Sequence, residues 1–148
     1  MTDHQKRIVA AARDWIGTPY VHQAATRDAG SDCLGLIRGI WRVIYGDEPE
    51  AIPSYSMDWS EPQGEEQLWA AAARHLIPKP KGWDTVGDVL LFRMRRGSVA
   101  KHLGVQAATG QEASFVHAYQ RRGVIESPLS TPWRNRIVAR FEFPEEIS

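Results

Sequence analysis

The 148-residue chain carries 18 Lys and Arg residues against 18 Asp and Glu residues, and 43% of its residues are hydrophobic. This composition is typical of a globular domain with a sizeable core, and it argues against a disordered chain, a nucleic-acid-binding protein and insertion into a membrane. The N-terminus is charged from the third residue, so we expect no secretory signal peptide and synthesis in the cytoplasm. We therefore expect a single domain over residues 1–148.

The first half of the chain predicts helices. Apolar residues recur at helical spacing over about 3–16 and about 32–44, and a third helix is expected over about 64–76, before a pair of prolines. Residues 17–32 are rich in Gly, Pro, Thr and Asp and predict a long loop, a feature that is usually functional in a compact domain. Residues 46–87 form an acidic, proline-rich excursion around the third helix.

The second half of the chain predicts strands. Short β-prone runs separated by glycines lie at about 89–92, 102–107, 114–119, 124–127 and 137–143. Helices followed by strands without intervening helices indicate an α+β fold. We expect N-terminal helices packed on one face of a small antiparallel sheet of about five strands.

Cys33 is the only cysteine, and it stands where the second helix should begin, in the segment GSDCLGLIRGIWR. A cysteine in a first helical turn faces unpaired backbone N–H groups and the positive end of the helix dipole, which favour thiolate over thiol. We therefore expect Cys33 to be a nucleophile with appreciable thiolate at neutral pH. The N–H groups at the helix start would stabilise an oxyanion.

A thiol nucleophile needs a base, and His102 and His117 are the best candidates among five histidines. They lie in consecutive predicted strands, which could place them side by side facing the helix start. His22, in the loop before Cys33, remains a possible member of the cleft, whereas His4 and His75 are poorly placed. A Cys/His/His zinc site is the alternative, but no ligand pair has close spacing, so we expect no metal.

Five segments then occur in a specific order: GTPY, DCLGL, GDVLLF, KHLGV and FVHA. Together they resemble the NlpC-type cell-wall cysteine peptidases, over nearly the whole chain. The longer patterns GTPYxHQ, DCLGLxRGxWR and VGDVLLFR are similar to the version found among tail proteins of phages and phage-like gene transfer agents. The resemblance implies a papain-like fold, with the catalytic helix packed against a small antiparallel sheet.

The resemblance also implies roles for individual residues. Cys33 would be the nucleophile, His102 the general base and His117 the polar group that orients His102. Tyr20 would line the substrate site, and Asp32 would help to hold the free amine of the substrate's L-Ala. The implied reaction is hydrolysis of the γ-D-glutamyl–diamino acid bond of peptidoglycan stem peptides, without a cofactor. A phage-like tail or particle, with tail proteins as partners, would carry the enzyme to the cell wall.

Three departures from the family pattern concern the substrate more than the catalyst. Leu34 replaces the usual serine after the nucleophile, residues 22–24 replace the usual Trp-Gly-Gly, and the excursion at 46–87 is long. Two alternatives therefore stay open. The chain could be a tail-assembly component with a catalytically unused cleft, or it could be another thiol amidase on the same fold.

Overall fold

The computed structural model describes residues 1–50 and 66–145. Over these residues the chain forms four helices, which are α1 (Asp3–Asp14), α2 (Cys33–Tyr45), α3 (Gln67–His75) and α4 (Thr131–Arg134). The first three agree with the predicted helices to within a few residues, although the predicted start of the third lies outside the described residues. The short helix α4 was not predicted.

Helix α2 begins at Cys33 because Asp32 caps it. The Asp32 carboxylate accepts a hydrogen bond from the Gly35 N–H at 2.7 Å, which satisfies one of the unpaired donors of the first turn. Gly39 lets helix α1 approach α2 closely, since a Cβ at this position would lie 2.0 Å from the Trp15 ring. The cap and this contact fix where the nucleophile candidate stands.

The main sheet is antiparallel throughout and has six described strands. They are β3 (Ile77–Lys79), β4 (Val89–Phe92), β5 (His102–Ala108), β6 (Ser114–Tyr119), β7 (Gly123–Pro128) and β8 (Ile137–Glu142), in the spatial order β3-β8-β4-β5-β6-β7. The five predicted strands are confirmed. The additional strand β3 contains Pro78, and it is tolerated because β3 lies at the edge of the sheet.

Side chains are buried on both faces of this sheet. The larger cluster joins the apolar stripe of α2, such as Leu36 and Ile40, to strand residues that include Leu103 and Val105. A second, smaller cluster of buried side chains, which includes Phe92, packs against the sheet outside that core. The predicted α+β class, with helices against a small antiparallel sheet, is therefore confirmed.

The segment between α1 and α2 is more ordered than the predicted loop. It contains a small antiparallel hairpin of β1 (Ala25–Thr26) and β2 (Gly30–Ser31), and Tyr20 forms an isolated bridge with Ser31. The next residues after β2 are Asp32 and Cys33. Hydrogen bonding of the loop to itself therefore places Tyr20 beside the start of α2.

A buried polar network joins the middle strands of the sheet. Arg140 on β8 donates to Asp88 at 2.8 Å and to Gln106 on β5 at 2.6 Å, and all three side chains are almost fully buried. Lys79 donates to the other Asp88 oxygen at 3.2 Å. A buried charge that keeps opposite charges and hydrogen bonds is tolerated, whereas one that loses its partner is costly. This network therefore ties β5 to β8 across the intervening strand β4.

Residues 51–65 of the predicted acidic excursion lie outside the described residues. In the described part of the excursion, Glu48 pairs with Arg38 at 2.6 Å and Arg42 at 2.8 Å, while Glu50 pairs with Arg74 at 2.9 Å. These carboxylates are therefore bound to α2 and α3. None of the described helices has the length and apolar character needed to cross a bilayer.

Candidate active site

Cys33 opens into a cleft of about 540 Å³ between the start of α2 and the sheet. Tyr20, His22, Asp32 and His102 line the same cleft. The structure thus brings four of the five predicted site residues to one cleft, and it places His22, which the sequence left open, beside them. The fifth predicted residue, His117, lies directly behind His102.

The Cys33 thiol lies against the first residues of strand β5. Its Sγ atom is 3.8 Å from the Lys101 carbonyl oxygen, and the Leu103 N–H also approaches the sulfur. Burial first, and then the Asp32 charge, raise the pKa of the Cys33 thiol to about 12, against the opposing effect of nearby backbone N–H groups. The expectation of appreciable thiolate is therefore wrong for the free protein, because the sequence could not show how deeply the sulfur is buried.

His102 and His117 form a direct hydrogen bond. His102 Nε2 lies 2.8 Å from His117 Nδ1, and both side chains are buried. This bond uses Nε2 of His102, which itself lines the cleft, so Nδ1 is the ring nitrogen that His117 does not engage. The side-by-side placement predicted from consecutive strands is confirmed.

Aromatic rings surround the two imidazoles. Phe92, Phe115 and Tyr119 contact one or both of them, and the Trp133 ring centroid lies 5.7 Å from that of His102 and 5.2 Å from that of His117. This enclosure disfavours the charged forms. Burial lowers the pKa of His102 to about 3, with a contribution from His117, and it lowers the pKa of His117 to about 4.

Two residues of this region were missed by sequence analysis. Trp133 comes from the unpredicted helix α4, and no sequence signal pointed to it. Ser127 on β7 places its Oγ atom 2.9 Å from His117 Nε2. Pairing across the β6–β7 turn sets Phe115 opposite Ser127, which makes Ser127 the diagonal neighbour of His117. Counting residues outward from the β6–β7 turn would have predicted Ser127 as a neighbour of His117.

The Asp32 carboxylate, which was expected to hold a substrate amine, is engaged by backbone N–H groups. Its side chain is almost fully buried, and its two oxygens accept the N–H groups of Gly35 and Gln23, each at 2.7 Å. His22 Nδ1 lies 3.8 Å from the same carboxylate. The Tyr20 hydroxyl lines the same cleft and stays protonated, since burial first, and then nearby negative charge such as that of Asp32, raise its pKa.

The remaining histidines lie outside the cleft. His4 bonds to the Phe143 carbonyl at 3.0 Å, and His75 pairs with Glu50 at 2.8 Å. Across residues 1–50 and 66–145, no group of three or more His, Cys, Asp or Glu side chains is arranged to hold a metal ion. What the described cleft offers is a thiol, a neutral imidazole and helix-start N–H groups, which are the components of thiol acyl transfer.

Comparison with known proteins agrees with this papain-like arrangement. No protein-family model matches the chain. The "Gamma-DL-glutamyl hydrolase" of Bacillus subtilis is 28% identical over 91% of the chain, and a "Probable endopeptidase" of Haemophilus influenzae is 25% identical over 81% of it. The aligned regions amount to 29% and 62% of the lengths of these two relatives.

Solved structures share the fold. The crystal structure of the NlpC/p60 domain of the peptidoglycan hydrolase SagA superposes with a TM-score of 0.61, covering 94% of this chain and 98% of that domain at 21% identity. The chain therefore has the papain-like fold of NlpC/P60 domains.

The buried neutral histidines predict a stability loss in acid. Below about pH 6.5 the unfolded chain binds protons that folded His102 and His117 exclude until about pH 3 and 4, so the free energy of unfolding falls as the pH falls through this window. Each histidine contributes up to about 1.4 kcal/mol per pH unit. In urea unfolding between pH 7 and pH 5, His117→Asn should lose less stability than wild type.

Val116→Ala provides the control for that measurement. Val116 is buried on the same strand but does not titrate, so this variant should be less stable at every pH with the wild-type pH dependence. Equal pH slopes for wild type and His117→Asn would contradict the account of the buried pair.

Proposed function

We propose that this protein is a cysteine endopeptidase that hydrolyses the γ-D-glutamyl–diamino acid bond of peptidoglycan stem peptides. The observation that carries the proposal is the shared cleft: Cys33 at the start of α2 opens onto the same space as His102, which is backed by His117. The NlpC/P60 fold and the names of the similar proteins support the substrate class.

The proposed reaction begins from a neutral thiol and a neutral imidazole. The Cys33 thiol turns from the Lys101 carbonyl and passes its proton to Nδ1 of His102 as the sulfur attacks the glutamyl carbonyl carbon. His102 Nε2 is already bonded to His117, so Nδ1 is the atom available to accept the proton. Proton transfer in step with attack suits a thiol whose free pKa is raised, because a separate thiolate need not accumulate.

The rest of the cycle uses the same groups. The N–H of Cys33 at the helix start stabilises the oxyanion of the tetrahedral intermediate. His102 then protonates the leaving amine of the diamino acid, and a thioester remains on Cys33. A water molecule, deprotonated by His102, hydrolyses this thioester and restores the thiol. The cycle balances without a metal or an organic cofactor.

A pair of arginines fits the charge of the proposed substrate. Tyr119 and Gln120 line both the cleft and an adjoining groove that also includes Arg121 and Arg122. Both arginines are exposed, and within the described residues neither forms an ion pair. A γ-linked glutamate keeps its α-carboxylate, and stem peptides carry further carboxylates. The arginines can therefore attract and orient this anionic peptide.

Tyr20 and Asp32 keep proposed roles at the other side of the cleft. The Tyr20 hydroxyl, which stays protonated, can donate a hydrogen bond to the peptide. Asp32 first serves as the cap of α2, and we propose that its charge also attracts a substrate amine at the cleft that it lines. Leu34, at the position of the usual serine, has no hydroxyl and lines a different pocket, so we propose that amine recognition contributes less than carboxylate recognition.

We also propose that the enzyme works as part of a phage-like tail, with tail proteins as partners, and reaches the cell wall on that particle. The support is the resemblance of GTPYxHQ, DCLGLxRGxWR and VGDVLLFR to tail-associated sequences. The raised pKa of the Cys33 thiol is the observation that favours the alternative of a tail component with an unused cleft. Another thiol amidase activity would use the same residues on a different acyl group.

A cleavage assay with defined peptides tests the proposed function. Purified protein is incubated with L-Ala-γ-D-Glu-meso-diaminopimelate, both free and as the muramyl-linked stem, and products are read by mass spectrometry. We expect cleavage at the γ-glutamyl bond, and losses of at least about 100-fold in Cys33→Ala and His102→Ala, since each removes a group that reacts.

His75→Ala is the matched control for that assay, because His75 lies on α3 outside the cleft. It should retain wild-type activity. Absence of cleavage in the wild type would favour the unused-cleft alternative, and equal activity in wild type and Cys33→Ala would overturn the proposed catalyst.

The arginine pair gives a separate prediction about substrate affinity. The double variant Arg121→Ala/Arg122→Ala should raise KM about tenfold with little change in kcat, since it removes attraction without touching the reacting groups. Its KM should also depend less on salt than that of wild type. A double variant with the same loss of charge on α1, Lys6→Ala/Arg7→Ala, should keep the wild-type KM, and equal values for both double variants would contradict the role.

A further inference from the structure

We infer that Ser127 is a positioning residue that fixes the tautomer of both histidines, extending the array to Cys33, His102, His117 and Ser127. This inference rests on the proposed function for the meaning of the tautomer. The contacts behind it are direct: His102 Nε2 is 2.8 Å from His117 Nδ1, and His117 Nε2 is 2.9 Å from Ser127 Oγ.

Each neutral imidazole carries one N–H, so the two hydrogen bonds must run in the same direction along the array. In one arrangement His102 Nε2–H donates to His117, and His117 Nε2–H donates to Ser127. Nδ1 of His102 then has a lone pair and can accept the thiol proton. In the reverse arrangement Ser127 donates, His117 donates to His102, and Nδ1 of His102 carries a hydrogen. Only the first arrangement can act as a base toward Cys33.

Ser127 stabilises the productive arrangement by giving the buried His117 N–H a hydrogen-bond acceptor. His117 is fully buried, so its Nε2–H needs an acceptor inside the protein, and within the described residues the Ser127 hydroxyl provides it. Ser127 itself is only partly buried, so its own hydrogen can point to water. During the reaction one proton moves, from Cys33 Sγ to His102 Nδ1, while His117 and Ser127 keep theirs.

Removing the hydroxyl should therefore change the tautomer as well as the rate. In Ser127→Ala the buried His117 Nε2–H loses its acceptor, and both rings shift toward the Nδ1–H form. We expect kcat for the γ-glutamyl peptide to fall about tenfold with little change in KM. Two-dimensional ¹H–¹⁵N spectra of the histidine rings should show Nε2–H for His102 and His117 in wild type and a mixture in Ser127→Ala.

Two further variants separate positioning from general stability. Ser127→Thr keeps the hydroxyl and should restore both kcat and the Nε2–H spectrum. Ser114→Ala removes a serine hydroxyl from the neighbouring strand, where it donates to Glu126 at 2.6 Å, and it should leave the histidine spectrum and kcat unchanged.

The ring spectra do not depend on the substrate, so they test the inference even if the peptide is not cleaved. Unchanged His102 and His117 tautomers in Ser127→Ala would overturn it. Equal changes in Ser127→Ala and Ser114→Ala, or failure of Ser127→Thr to restore the spectrum, would overturn it as well.

Discussion

The contact between the start of α2 and the start of β5 is the constraint on which the site depends. Cys33 is the first residue of α2 and His102 the first residue of β5, and the sulfur lies between the Lys101 carbonyl and the Leu103 N–H. The Asp32 cap fixes one side of this contact. The buried network of Arg140, which reaches β5 through Gln106, helps to fix the other. The first turn of α2, which carries Cys33, and the first residues of β5, which include His102, are therefore held in contact by two separately stabilised elements.

Burial at this contact decides the protonation states. Burial raises the pKa of the Cys33 thiol and lowers the pKa of the His102 imidazole, so both groups are neutral at rest. In the proposed reaction a neutral pair depends on the groups that hydrogen-bond to His102, because His102 must present its lone pair on the correct nitrogen. Hydrogen bonds to the buried His117 and onward to the partly buried Ser127 meet that requirement with neutral groups, without a carboxylate.

Much of the fold could be predicted because its signals are local. Helical spacing of apolar residues and glycine-separated β-prone runs gave the first three helices and five strands, and adjacent antiparallel strands implied the contact of His102 with His117. Strand β3 was missed because Pro78 is tolerated only where the strand lies at an edge, which depends on the assembled sheet. The position of Trp133 and the protonation state of Cys33 depend on packing between segments that are far apart in the sequence. A single sequence does not show this packing.

The most direct test of the central claim is to trap the acyl group on Cys33. Protein quenched in acid during turnover of the γ-glutamyl peptide and digested for mass spectrometry should show the L-Ala-γ-D-Glu acyl mass as a thioester on the peptide that contains Cys33. That adduct should decay as product forms when quenching is delayed after substrate is exhausted. Turnover with no adduct, together with full activity in a chain lacking the thiol, would contradict the account.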